Sequence, residues 1–139
     1  MPLPERLRLI WIFAFLSLCP QFAVASGSVP GYDAAFREGW SLLQKERYAE
    51  ARAAFATIPP HEYDLGDYVV YFGGEAAARE GKRTEAGESL LLLEGAFPDS
   101  PLLPYLHHEI AYAAALDNDL PAARESLSAS RGAVKGDRR

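Results

Sequence analysis

The chain has 139 residues, 49% hydrophobic and 24% charged, which suits one small domain and excludes both a disordered and a membrane-filling chain. Its net charge of −5 offers no basic stripe on which a nucleic acid could lie. A single cysteine excludes an intrachain disulfide framework and a cysteine-based zinc site.

Residues 1–25 read as a secretory signal peptide. Arg6 and Arg8 give a basic start, Leu9 to Cys19 is an uncharged apolar run, and Pro20 breaks it. Ala23-Val24-Ala25 then supplies small residues where a signal peptidase cuts, so cleavage is expected between Ala25 and Ser26. The competing reading, a retained anchor, suffers from Pro20 and Gln21 within a run shorter than the roughly 20 apolar residues of a span. Cys19 lies between Leu18 and Pro20 rather than after a small residue, so it counts as an ordinary apolar residue of the signal and not as a lipidation site. A periplasmic or otherwise exported protein is therefore expected, with no stable membrane span once the signal is gone.

A polar lead, 26–31, precedes a helical domain over 32–132. Phe36, Trp40, Leu42 and Leu43 fall at helical spacings among charged residues, and a turn at Glu46-Arg47 follows. Tyr48 to Ile58 reads as a second helix, ended by Pro59-Pro60. Asp64 is the expected N-cap of a third helix reaching about Glu80, in which the strand-like run Tyr68 to Phe72 is overruled by the helix formers after it. Gly81 marks its C-terminus. Thr84 to Phe97 makes the fourth helix. Ser100 is expected to cap a fifth over Pro101 to Leu116, and Asp119 a sixth ending at Ser130. Residues 133–139 are expected to form a disordered polar tail.

The helices repeat in pairs. Gly39, Gly74 and Ala111 stand 35 and 37 residues apart; Ala51, Ala86 and Ala123 keep the same intervals, as do Phe55, Leu90 and Leu127. Two helices in a hairpin approach closely only where both carry small side chains, and a larger apolar residue one turn on closes the gap. This pattern resembles the tetratricopeptide repeat. The resemblance implies an all-α fold: an antiparallel helix-hairpin solenoid of about three repeats. The sequence departs from that pattern in lacking an early tryptophan in the first helices, in placing Thr84 before the fourth helix, and in having no proline that closes the third repeat.

A narrower resemblance rests on Leu65-Gly66-Asp67-Tyr68 with Tyr71, and on Phe97-Pro98-Asp99-Ser100-Pro101 between two repeats. Residues 32–130 resemble the N-terminal helical region of soluble lytic murein transglycosylases, periplasmic enzymes that cleave peptidoglycan. The catalytic glutamate of that family is followed by Ser and by a downstream Gly-Leu-Met-Gln type of segment. Glu88-Ser89 and Glu125-Ser126 lack such a continuation and are expected on open helix surfaces, without the cleft that tunes a catalytic acid. His107 and His108 point about 100° apart on a helix and cannot chelate one ion well. The Gly73-Gly74 pair reads as close helix packing rather than a nucleotide loop. No catalytic residue, cofactor or metal is expected.

If the first helices line a concave face, the residues aimed into it are Phe36 and Trp40, then Tyr68, Tyr71, Glu75 and Arg79, then Tyr105, His108 and Tyr112. Six of these nine are aromatic in a chain that is 12% aromatic, so composition alone does not account for them. Polar-tipped aromatics suit peptides and sugar rings, although aromatics at helical spacing also fill cores. Three functional readings follow. The first is an exported, non-enzymatic interaction module for a protein or peptidoglycan partner. The second is the front piece of a split or truncated transglycosylase. The third is a generic tetratricopeptide adaptor in envelope assembly. Lacking a polar cap after Ser130, the C-terminal edge is also expected to be apolar and to support self-association or the docking of a further domain.

Overall fold

The computed structural model describes residues 30–136. The proposed signal peptide, its cleavage point and residues 137–139 lie outside the described residues. Six α-helices follow in order, with no strand among the described residues: α1 Pro30–Gln44, α2 Tyr48–Phe55, α3 Gly66–Arg79, α4 Arg83–Ala96, α5 Leu103–Leu116 and α6 Leu120–Gly136. A single 3-10 turn, Pro60–Glu62, lies between α2 and α3. Each helix packs on the next in chain order; α3 also touches α1 and α5, and it holds α2 and α4 apart.

Three turns within the helix pairs share one backbone geometry. Glu46, Gly81 and Asn118 take φ of 58°, 83° and 59°, at the 35- and 37-residue intervals of the sequence repeat. At each, the following amide bonds back to the carbonyl five residues earlier: Arg47 to Leu42, Lys82 to Ala77, Asp119 to Ala114. That is the left-handed helix stop of a Schellman motif, most easily made by glycine and here tolerated by Glu46 and Asn118.

The small residues stand where the repeat requires them. Ala51 and Ala86 are fully buried, and Ala111 and Ala123 nearly so. A Cβ on Gly39 would lie 2.9 Å from the Phe55 ring, and one on Gly74 would lie 2.8 Å from Ser89 Cβ and 2.9 Å from a Leu106 methyl. The core is consequently built between successive pairs. On one side of α3, Val69 and Ala76 join Leu43, Ala51, Phe55, Ile58 and Tyr63. On its other side Val70 meets Leu93 and Leu106, while Ala77 and Ala78 meet Ala86 and Ala113. Burial on two sides explains why the run Tyr68–Phe72 looks like a strand by composition and still forms a helix.

Several boundaries differ from expectation, for physical reasons. Pro30 begins α1 two residues early, since proline suits the first helical position. Helix α2 stops at Phe55: the Thr57 hydroxyl donates to the Ala54 carbonyl at 2.7 Å, and Pro59 disfavours helix just before it. Asp64 does not cap α3. The helix starts at Gly66, where a Cβ would fall 1.9 Å from the Pro60 carbonyl oxygen, so only glycine fits beneath the preceding loop. Ser100 accepts from the Leu102 amide at 3.3 Å within a turn, and α5 begins at Leu103 with Pro104 in its first turn. Asp119 does cap α6, accepting from the Ala122 amide at 3.2 Å. Helix α6 continues to Gly136 through part of the expected tail, because Gly132 weakens a helix without stopping it and Ala133 and Lys135 favour one.

Candidate functional site

The i, i+3 and i, i+4 spacings place the nine residues singled out by sequence on single stripes of α1, α3 and α5. The structure divides them into three groups. Phe36 is half-buried, its ring 5.7 Å from those of Phe55 and Tyr63, and it contributes to the core rather than to an open surface. Trp40 and Tyr68 are exposed at 42% and 37%, and both lean on Phe72, at 4.8 Å and 6.0 Å between centroids. Phe72 also meets Phe36, Phe55 and Tyr71, making it the hinge between buried and exposed aromatics. Tyr105 and Tyr112 are exposed at 61% and 52% on α5, with His108 exposed between them.

The third group is polar. The Arg79 guanidinium clamps Glu109 with two bonds, at 2.9 Å and 3.2 Å, and reaches Glu75 at 3.4 Å. Both carboxylates are mostly buried. Burial, reinforced by the negative charge of Glu109, pushes the Glu75 carboxyl above the usual carboxylate range, and Arg79 only partly offsets this. Burial likewise raises the Tyr71 phenol, which is hydrogen-bonded to Glu75 and faces the charges of Glu75 and Glu109. The Arg79 guanidinium is held still more firmly in its charged form, chiefly by Glu109. Tyr71, Glu75, Arg79 and Glu109 thus form a preset polar bridge from α3 to α5, flanked by exposed aromatics on both sides. Such a surface stacks rings and offers hydrogen-bonding groups; the bridge itself needs no bound ligand to account for it.

Phe72 and Glu109 were not among the residues chosen by sequence. Glu109 is four residues after Tyr105 and three before Tyr112, so the same helical spacing points to it. A second surface also went unforeseen. Between α2 and α4, above α3, an open groove of about 500 Å³ is lined by Ile58, Val70, Ala77 and Leu92, with Arg52 and Glu85 ion-paired at its rim. Glu88 is exposed on α4, as expected, and lines this open groove. Of the two adjacent glycines only Gly74 is required by packing; the Cβ position of Gly73 has nothing closer than Phe55 Cβ at 4.0 Å, and Gly73 leaves the groove floor open.

The histidines diverge. His107 faces Glu94 on α4 at 3.4 Å, His108 faces solvent, and His61 stacks on Phe97 at 6.0 Å. Among the described residues no group of three or more His, Cys, Asp or Glu converges on a metal position, and no helix is long and apolar enough to cross a membrane. No known family, curated protein or solved structure matches the chain.

Proposed function

We propose that this chain is an exported, non-catalytic interaction module: a tetratricopeptide-like solenoid of three helix hairpins, akin to the N-terminal region of lytic murein transglycosylases. It binds a protein segment or a peptidoglycan strand along its first helices. One observation carries the reading. Among the described residues, the four exposed large aromatics, Trp40, Tyr68, Tyr105 and Tyr112, are on α1, α3 and α5, whereas the exposed large apolar residues of α4 and α6 are leucines. Rigid, polar-tipped aromatics give contact area at small entropic cost, and aligned on successive first helices they suit an extended ligand. The turn geometry repeated at Glu46, Gly81 and Asn118 supports the solenoid part of the proposal.

The test uses protein recovered from the periplasm, whose N-terminus is expected at Ser26. Trp40 is then the sole tryptophan, since Trp11 belongs to the signal. Its fluorescence should change on titration with soluble peptidoglycan fragments or with a captured periplasmic partner. The variant carrying Trp40→Ala, Tyr105→Ala and Tyr112→Ala should keep its circular dichroism and lose retention on purified sacculi and on that partner. A folded triple variant that retains both at wild-type level contradicts the proposal.

A further inference from the structure

We infer that the C-terminal edge of the helix array, formed by α5 and α6, pairs with the same edge of a second copy of this chain in a closed, two-fold dimer. On α5 this surface adjoins the aromatic face, since Tyr112 is one turn before Leu116 on the same stripe. The repeat register shows what each position does when another pair follows. In the middle pair, Arg79 reaches Glu109 at 2.9 Å, and Arg83 reaches Asp119 at 3.0 Å, both in the next pair. Leu90 packs into the cluster of Leu93 and Leu106. Thirty-seven residues on, the equivalents are Leu116, Leu120 and Leu127, exposed at 69%, 54% and 38%. The last pair has exchanged two guanidiniums for leucines at the positions that face a following element.

The opposite edge decides the mode of pairing. On α3, Val69, Phe72 and Ala76 face the preceding pair. Their equivalents on α1, 35 residues earlier, are Ala34, Arg37 and Ser41, and Glu38 matches Gly73; Arg37 and Glu38 are exposed. That edge is already finished with polar groups. Head-to-tail stacking would press Arg37 and Glu38 onto the leucines and bury charges without built partners. Leucine edge against leucine edge carries no such cost, and an isologous contact closes at two copies. A face about 26 Å long and two helices wide covers roughly 500 Å² per copy, at the low end of specific interfaces, so the dimer is reversible.

Sedimentation velocity on the mature chain should show a concentration-dependent monomer–dimer equilibrium with no larger species. Leu120→Glu with Leu127→Glu should abolish it while circular dichroism stays unchanged. Independently of that variant's folding, Leu127→Cys should form a disulfide-linked homodimer under mild oxidation, and an equimolar mixture of Leu127→Cys and Arg37→Cys chains should not form the mixed product. A monomer at every concentration, an open-ended series of oligomers, or the mixed product in place of the Leu127→Cys homodimer would overturn the inference.

Discussion

Phe55 and Leu127 occupy the same position of the repeat. Phe55 is 2% exposed, its ring seated on Gly39 and stacked at 5.8 Å on Phe72 of the following helix; Leu127 is 38% exposed. Local sequence is equally suited to both pairs, with small residues at Gly39 and Ala51 in one and at Ala111 and Ala123 in the other. The first pair is closed because α3 lies over it. The last pair keeps its small residues Ala111 and Ala123 buried, and among the described residues no further helix lies over it. In such an array a residue's burial depends on the next pair as much as on its own helix.

The comparison can be broken at several points. Gly66→Ala should cost about 3 kcal/mol, because the new methyl meets the Pro60 backbone carbonyl rather than a movable side chain. Urea unfolding checks it, and a cost under about 1 kcal/mol would mean that the loop before α3 yields easily. Leu106→Ala, at a fully buried site between α3 and α4, should cost about 3 kcal/mol, while Leu127→Ala should cost less than about 1 in the monomer. Equal losses would erase the difference between the interior and the last pair. Gly74→Ala should cost about 1–2 kcal/mol against Ser89 and Leu106, whereas Gly87→Ala, with open space around its Cβ position, should stabilise by about 0.5 kcal/mol.

The smallest effect concerns Glu75. Its carboxyl titrates above the usual range in the folded chain, so ionisation is harder there than in the unfolded chain. Stability is lost as pH rises from the unfolded pKa through the folded one. Glu75→Gln should therefore be slightly more stable than wild type at neutral pH, and the advantage should vanish in acid below the ordinary carboxylate range. Melting temperatures across pH check this; a variant less stable at neutral pH would show that the Arg79 contact outweighs the burial of charge.

Much of the fold was legible because its constraint is local and periodic. Small residues at 35 and 37 residues, Gly81 at a helix stop and Asp119 at a helix start each act within one or two turns of chain. The need for Gly66 was not, since the Pro60 carbonyl that excludes a side chain arrives from a loop whose path the sequence leaves open. The candidate site divides the same way. Exposed Trp40, Tyr105 and Tyr112 follow from helical spacing. The Arg79–Glu109 clamp spans 30 residues and forms only once α5 lies beside α3. Phe36 and Trp40 share a stripe, yet the packing of Phe55, Tyr63 and Phe72 takes one ring into the core and leaves the other at the surface.

The central claim is that stability is graded, from a closed interior around α3 to an open edge at α6. Native-state hydrogen exchange at dilute, monomeric concentration tests it most directly. Amides of α3 should exchange only through global unfolding, while those of α6 should exchange through a local opening of lower free energy, and should slow as concentration rises and the edges pair. Protection of α6 equal to that of α3 in the dilute monomer would contradict the account.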